Sequence, residues 1–291
     1  MAPGHSASAP RPSGRIRLEI AIESGDEARR ALAAGADRVE LCAALELGGL
    51  TPSAGTIQRL PAIVADRCSV MIRPRPGGFI YSPAEFAVMQ ADIDAALAAG
   101  ASGVVLGVLR GNEIDERACR LLARHTHTAP RPTIGRRPFA TSAEGGERAP
   151  LQLVFHRAFD LAANPFDSLE LLIAMGFTRV LTSGGGARAA EPAALERIRA
   201  LIDRARGRIA VVACGGVRAA NVAHLRGLPG LTDVHAGRRT APASTAPGAI
   251  AGAPIPPFSL GVWSEPDLVE IAALRTALDA TESDSGTGRS R

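Results

Sequence analysis

Residues 31–41 read Ala-Leu-Ala-Ala-Gly-Ala-Asp-Arg-Val-Glu-Leu, and residues 96–106 repeat them closely as Ala-Leu-Ala-Ala-Gly-Ala-Ser-Gly-Val-Val-Leu. Residues 172–182 and 226–236 fit the same frame. In each copy a glycine marks the end of a helical pattern, and a valine follows at a fixed distance in a short apolar strand. Four copies in one register predict four equivalent strands, as expected of alternate βα units in a barrel.

Hydrophobic periodicity over the whole chain predicts eight strands that alternate with helices. The predicted strands are 17–23, 38–42, 69–73, 103–109, 153–160, 179–183, 208–214 and 233–236. Strands separated by helices favour a parallel sheet, and eight such units that close on themselves form a barrel. We therefore predict an α/β fold, a single-domain (β/α)8 TIM barrel, over residues 15–281. An open doubly wound sheet is the alternative.

Four segments show no periodicity. Residues 1–14 and 282–291 are rich in small and polar residues and predict disordered tails. The first tail lacks the apolar stretch of a secretion signal, and no run in the chain reaches the length of a membrane span. Repeated Pro and Gly predict two loop insertions, at about 129–150 and about 239–257.

The composition excludes several classes of function. The chain contains no lysine, so all 33 basic residues are arginine, which rules out Schiff-base and lysine-anchored pyridoxal chemistry. The net charge is +4, but the arginines are scattered and aromatic residues make up only 3%, which is poor for stacking on bases. We therefore predict neither a nucleic-acid nor a membrane partner. Barrels often dimerise, and a homo-oligomer is left open because no surface patch stands out.

Four cysteines, at positions 42, 68, 119 and 214, lie far apart and form no Cys-x-x-Cys pair. Their spacing gives neither a zinc motif nor a disulfide framework. A reducing, cytoplasmic location is the simplest interpretation.

Residues 153–160, Leu-Val-Phe-His-Arg-Ala-Phe-Asp, alternate with period two and predict a half-buried strand. Its bulky apolar side should face the helices, which turns His156 and Asp160 toward the interior. The repeat register and the same parity rule give a full inward set of Glu19, Glu40, Arg73, His156, Asp160 and His235. Barrel interiors are normally filled by branched aliphatic residues, so these polar groups predict a catalytic site. An internally satisfied ion network is the alternative.

Small residues end several strands and should leave a hole at the carboxyl end of the barrel, where barrel active sites lie. Glycine turns follow strands 179–183 and 208–214, and their backbone N–H groups can approach an anion closely. Tight turns that need positive φ are the alternative reason for these glycines. The predicted anion-binding residues are Arg75, Ser183, Gly184, Gly185, Gly215 and Gly216.

An ordered set of motifs in this sequence resembles the CutC family. The motifs are Val-Glu-Leu-Cys at 39–42, Gly-Gly-Leu-Thr-Pro-Ser at 48–53, Val-Met-Ile-Arg-Pro-Arg at 70–75, Phe-His-Arg-Ala-Phe-Asp at 155–160 and Arg-Val-Leu-Thr-Ser-Gly at 179–184. The likeness runs from about residue 17 to 238 and again through the last helix, interrupted by the 130–150 insertion. The resemblance implies a cytoplasmic TIM-barrel protein of copper homeostasis, with Cu(I) bound through cysteines.

The resemblance makes Cys42 the candidate metal ligand, since the first strand has Ala21 where some relatives carry cysteine. Cu(I) prefers thiolate and thioether ligands, so one cysteine makes a poor closed site. Met71 shares the inward parity and is a candidate partner, as is His235.

Two functions therefore stay open. The first is a copper-handling protein without catalysis, with Cu(I) at Cys42. The second is an acid–base enzyme in which Arg73 holds a small phosphorylated or carboxylated metabolite at the barrel mouth while Glu40 or His156 moves a proton. In a variant of the second, Glu and His ligands hold a divalent metal such as Zn or Mn.

Overall fold

The computed structural model describes residues 15–131, 150–237, 239–240 and 264–280. Both predicted tails and most of the two predicted insertions lie outside these residues.

Eight parallel strands close into a barrel. They are β1 (Arg17–Ile22), β2 (Arg38–Leu41), β3 (Cys68–Met71), β4 (Gly103–Leu106), β5 (Gln152–Phe155), β6 (Arg179–Thr182), β7 (Ala210–Cys214) and β8 (Asp233–Ala236). Each strand pairs with its neighbours in the sequence, and β8 closes the ring by pairing with β1. The predicted (β/α)8 TIM barrel is confirmed, and the open sheet is wrong.

Helices separate successive strands, and a last helix follows β8. They are α1 (Gly25–Ala33), α2 (Ala54–Gln58), α3 (Ala62–Ala65), α4 (Pro83–Ala98), α5 (Glu116–Thr128), α6 (Pro165–Ala174), α7 (Pro192–Ala205), α8 (Val222–Arg226) and α9 (Leu268–Asp279). Side chains satisfy the first N–H groups of several helices, and Ser82 forms a reciprocal capping box with Glu85. None of the helices in the described ranges has both the length and the apolar character needed to cross a bilayer.

The glycine of the repeat has a positive φ in all four copies, a conformation that side-chain-bearing residues rarely adopt. The φ values are 109° at Gly35, 92° at Gly100, 82° at Gly176 and 80° at Gly230. The first three come directly after the C-cap residues of α1, α4 and α6, where a left-handed residue turns the chain out of the helix. The strands that follow therefore begin in equivalent register.

The valines of the repeat lie on the side of the strands that faces the helices. Val39, Val104, Val180 and Val234 are fully buried in the large apolar core that includes the helices. A separate apolar cluster of opposite parity fills part of the barrel interior and consists of Cys42, Met71, Val105, Val154, Leu181, Val212 and Cys214. Because side chains on a strand alternate between its two faces, Glu40 and His235 share the interior with this second cluster.

The fifth strand is shorter than predicted. β5 ends at Phe155, and Arg157–Leu161 form a short 3-10 helix where the strand was expected to continue to residue 160. His156 caps this helix, since its Nδ1 accepts a hydrogen bond from the Ala158 N–H at 3.2 Å. The two-residue alternation therefore ends at His156, and the facing direction predicted for Asp160 from it is wrong.

Two short hairpins also differ from the predicted boundaries. The predicted strand 103–109 stops at Leu106, and Leu109–Arg110 pairs instead with Glu113–Ile114. The start of the predicted 239–257 loop, Arg239–Thr240, pairs antiparallel with Glu265–Pro266. Pairs of two residues are too short for hydrophobic periodicity to indicate.

Gly103 provides a test of the closest approach between β4 and β5. A Cβ placed there would lie 2.7 Å from the carbonyl carbon of Gln152. We expect Gly103→Ala to lower the free energy of unfolding by about 3 kcal/mol, because the two strands must separate to admit the methyl group. Urea denaturation of both proteins measures the difference.

The matched control is Gly78→Ala, since nothing lies within 4 Å of a Cβ there. Its free energy of unfolding should change by no more than about 0.5 kcal/mol. Equal losses in the two variants would contradict the proposed strand contact.

Candidate functional site

A cavity of about 300 Å³ opens at the carboxyl end of the barrel, lined by strand ends and by the loops that follow them. Its polar and charged lining side chains are Glu40, Arg73, His156, Arg157, Arg218 and His235. The Gly215–Gly216 turn after β7 also contributes to the wall. The small residues Ala21 and Gly237 line it as well, which agrees with the predicted small-residue mouth.

Beneath the cavity, His235 lies between two carboxylates. Its Nδ1 is 3.0 Å from Oε1 of Glu19, and its Nε2 is 3.8 Å from Oε2 of Glu40. The β1–β8 register places Glu19 directly opposite His235, and the β1–β2 register places Glu40 opposite Ala21. Three of the predicted inward residues are thus brought together.

Glu19 is anchored from below by arginine. Arg179, the first residue of β6, donates from a terminal nitrogen to Glu19 Oε2 at 2.6 Å, and both side chains are almost wholly buried. Arg38 Nε lies 3.5 Å from the same oxygen and also pairs with Asp233. Sequence reasoning missed Arg179, although it shares the inward parity of Leu181 and the parity rule could have found it.

Glu19, Glu40 and His235, called the triad below, have different proton affinities. Burial alone would raise the pKa of Glu19, but the Arg179 charge and the His235 hydrogen bond hold it well below its ordinary value. Burial raises the pKa of Glu40, an effect that the His235 charge only partly offsets. Burial also opposes the charge on His235, yet Glu40 and Glu19 together raise the pKa of His235. Glu40 is therefore the carboxyl group in this triad that binds a proton most readily.

One oxygen of Glu40 is left without a partner. Oε2 accepts a hydrogen bond from the Cys42 thiol at 3.4 Å and faces His235. Oε1 is buried and has no hydrogen-bond partner among the described residues. A buried polar atom without a partner is costly, so it indicates a place for a ligand or a water molecule.

His156 has the opposite character to His235. Burial, and then the charge of Arg73, lower the pKa of His156 to about 3. Its ring packs against Phe79 at 4.7 Å between centroids. With Nδ1 accepting from the Ala158 N–H, the proton of the neutral ring must be on Nε2, which is buried and unpartnered in the described structure.

Arg73 lines the cavity but is largely committed to backbone. Its guanidinium donates to the carbonyl oxygens of Leu47, Gly49 and Gly77 at 2.9 to 3.1 Å, which ties the loops after β2 and β3 together. Phe79 lies beneath the guanidinium, 5.0 Å from its carbon. The Nε of Arg73 is buried and has no hydrogen-bond partner among the described residues.

Several predicted site residues lie outside the cavity. Asp160 accepts hydrogen bonds from Thr182 at 2.5 Å and from the Ser183 hydroxyl at 2.9 Å, so it holds the turn after β6 in place. Gly184 and Gly185 belong to that turn and do not line the cavity, in contrast to Gly215 and Gly216. Arg75 is also outside the lining, where it pairs with Glu85 and donates to nearby carbonyl groups.

Two arginines that sequence reasoning missed stand at the mouth. Arg157 donates to the Ser183 hydroxyl at 3.0 Å and to Asp160 at 3.1 Å, while about half of its side chain stays exposed. Arg218 donates to the Val217 carbonyl at 2.7 Å. Arg218 follows the Gly215–Gly216 turn closely in the sequence, which was the available signal.

Cys42 is fully buried and is not part of the cavity lining. Burial, and then the neighbouring Glu40 carboxyl, raise the pKa of its thiol well above the ordinary value. A Cβ placed on Gly49 would lie 3.2 Å from Cys42 Sγ and 3.5 Å from Met71 Cε. The two sulfur side chains therefore flank the same glycine, and the thiol is protonated at neutral pH.

The triad also has the arrangement of a metal-ligand group. One ligand atom from each of Glu19, Glu40 and His235 lies within 4.8 Å of the others. Two carboxylates and an imidazole suit Zn²⁺ or Mn²⁺ and do not suit Cu(I), which prefers sulfur. Because Glu19 already pairs with Arg179, a divalent ion here would compete with a buried guanidinium for the same carboxylate.

Comparison with known proteins places the likeness over the barrel. A sequence model described as the CutC family matches residues 16–240. A CutC family protein of Sinorhizobium medicae is 37% identical over 270 residues, 91% of this chain and 97% of that protein. The human copper homeostasis protein cutC homolog is 39% identical over 236 residues, 79% of this chain and 78% of the relative. A solved CutC structure from Streptococcus agalactiae is 33% identical, covers 76% of this chain and 98% of its own, and has a TM-score of 0.63.

The Glu19–Arg179 pair gives a direct test of the charged interior. We expect Arg179→Met to lower the free energy of unfolding by about 3 to 5 kcal/mol, because Glu19 is then left as a buried charge that has lost its closest partner. Equilibrium denaturation at pH 7 provides the measurement. The double variant Glu19→Gln with Arg179→Met removes both charges and should recover much of the loss. Additive losses in the double variant would show that the two side chains are not coupled.

Proposed function

The chain belongs to the CutC family, and from that membership we propose that it serves in copper homeostasis, the role that the name of its human relative carries. We further propose that its cavity binds a small anionic molecule and that Glu40 exchanges a proton with it. The observation that carries the second statement is the unpartnered Oε1 of Glu40, a carboxyl group with a raised pKa in the cavity wall.

The surroundings of Glu40 suit acid–base chemistry. A group whose pKa is moved toward neutrality can both accept and return a proton at working pH. Cys42 and His235 occupy the Oε2 side of the carboxyl, which leaves Oε1 as the oxygen that reacts. Glu19 orients His235 through the bond to Nδ1, and it is itself fixed by Arg179. Each group thus restrains the next.

The charge of the mouth supports an anionic ligand. Arg157 and Arg218 line the cavity on the side of the Gly215–Gly216 turn, where both glycines have positive φ. Guanidinium groups and exposed backbone N–H groups are the usual partners of phosphate and carboxylate. We therefore propose a phosphorylated or carboxylated metabolite, with its anionic group toward these arginines.

A divalent metal is a variant of the same proposal. Glu19, Glu40 and His235 would hold it, and it would supply charge stabilisation beside the substrate. We also propose a cytoplasmic setting, since all four cysteines are free and buried and none forms a disulfide.

A thermal-shift titration with inorganic phosphate, oxalate and 2-phosphoglycolate tests the anion site. We expect at least one of these anions to raise the melting temperature of the wild type. Arg218→Met should weaken that binding by about tenfold, because it removes a charge-assisted hydrogen bond. Glu40→Gln should keep the shift, since it removes negative charge from the wall.

The matched control is Arg208→Met, whose side chain pairs with Glu170 away from the cavity lining. It should bind the anions as the wild type does. No shift with any of the three anions would count against the proposed site, and equal weakening in both arginine variants would show a general charge effect.

Direct Cu(I) binding at Cys42 is a second candidate, favoured by the position of the Cys42 and Met71 side chains next to the same glycine, Gly49. A thiolate and a thioether are ligands that Cu(I) prefers. The thiol must first lose a proton, and burial beside Glu40 holds the pKa of Cys42 high. Cu(I) binding must therefore strengthen as the pH rises.

Competition with a Cu(I) chelator under reducing conditions, at pH 6 and pH 8, tests this candidate. The wild-type affinity should rise by up to about tenfold per pH unit, because one proton leaves for each Cu(I) bound. Cys42→Ser should abolish binding, and Met71→Leu should weaken it. Cys119→Ser is the control, since that thiol lies against the Val108 carbonyl in the outer core. Binding that survives in Cys42→Ser would exclude this site.

A further inference from the structure

Two buried nitrogen donors on the cavity wall have no acceptor among the described residues. They are Nε2 of His156 and Nε of Arg73. Both side chains lie against the same ring, since the Phe79 centroid is 4.7 Å from the His156 ring and 5.0 Å from the Arg73 guanidinium carbon. A buried N–H without an acceptor is costly, and both of these belong to side chains that line the same cavity and pack on the same ring. We take them as donors for a bound oxygen atom with partial negative charge.

His156 can only donate in this position. Its Nδ1 lone pair is occupied by the Ala158 N–H. A ring turned over by 180° would lose this hydrogen bond and place a C–H group against the Ala158 N–H. Burial, and then the charge of Arg73, disfavour a second proton on the ring. His156 is thus a fixed neutral donor, in contrast to its predicted role in moving a proton.

The same cavity wall holds Glu40, whose Oε1 has no partner. A carboxylate that accepts a proton and a pair of N–H groups that bind an oxyanion are the two parts needed to remove a proton from the carbon next to a carbonyl group. Arg157 and Arg218 at the mouth supply the site for an anionic substituent on the same molecule.

We propose that the substrate is a small carbonyl compound with a phosphate or carboxylate group, and that Glu40 removes a proton α to its carbonyl while His156 and Arg73 bind the resulting enolate oxygen. This inference rests on the proposed anion site and names the substrate class for it. In the step, the C–H bond breaks and its proton forms a bond to Glu40 Oε1. The C–H electron pair becomes the carbon–carbon double bond, and the carbonyl π pair moves onto the oxygen. The reverse step returns a proton to carbon, so no oxidant or reductant is required.

The donor role of His156 has a test that needs no ligand. Nuclear magnetic resonance of protein with ¹⁵N-labelled histidine distinguishes the two neutral tautomers and the charged ring, and His156→Gln identifies the signal. We expect the Nε2–H tautomer at every pH from 8 to 5. The Nδ1–H tautomer, or protonation above pH 5, would overturn the proposal.

The reaction is tested by exchange of α-protons for deuterium in D₂O, with 2-oxobutyrate and dihydroxyacetone phosphate as probes. The first carries a carboxylate and the second a phosphate, so the faster probe identifies the anionic group. We expect exchange by the wild type and none by Glu40→Gln. His156→Leu should lose about 10² to 10³ in rate, the cost of one oxyanion donor. His156→Gln, which keeps an N–H donor, should lose less.

His224→Gln serves as the matched control, since this histidine is exposed on α8. The variant should exchange α-protons at the rate of the wild type. Exchange that is equal in the wild type and in Glu40→Gln would overturn the proposal, as would the absence of exchange with both probes. If the anions of the thermal-shift titration still bind in that case, the anion site stands and only the reaction is wrong. If these anions do not bind either, both the anion site and the reaction are wrong.

Discussion

The ion pair between Glu19 and Arg179 is the interaction on which the charged interior depends. Two oppositely charged side chains at 2.6 Å, both almost fully buried, are stable only together, because either one alone would be an unpaired charge away from water. With Arg179 in place Glu19 stays ionised and holds His235, and His235 in turn faces Glu40. From the bottom of the barrel to the cavity, each charged group therefore fixes the position and the charge of the next one.

The pKa values of two histidines in one barrel interior are shifted in opposite directions by their surroundings. His235 lies between carboxylates, which raise its pKa, whereas burial and then the charge of Arg73 lower the pKa of His156 to about 3. The first can carry positive charge next to Glu40, and the second can offer only a neutral N–H. This division of roles within one closed cavity is typical of sites in which environment sets the function of chemically identical groups.

The copper role implied by the family and the donor groups of this chain do not point to the same metal chemistry. The group of possible ligands that the described residues bring together contains two carboxylates and an imidazole, which are hard or borderline donors. The sulfur of Cys42 lies next to this group but keeps its proton and donates a hydrogen bond to Glu40. Copper binding at Cys42 would therefore be linked to the charge of Glu40, so both candidate functions involve the same carboxyl group.

The barrel and the facing of its even-numbered strands follow from the amino-acid sequence, because the repeat sets both the glycine turn and the valine register within eleven residues. Glu40 and His235 could be placed inward for this reason alone. Which side chains meet depends on the folded chain. Asp160 does not line the cavity, because His156 caps a helical turn that ends the strand before it. The Arg73 guanidinium donates to loop carbonyl groups. Arg179 pairs with Glu19, which is 160 residues away in the chain. Periodicity records which face a residue occupies, whereas partners and pKa values depend on distances between strands that are remote in the chain.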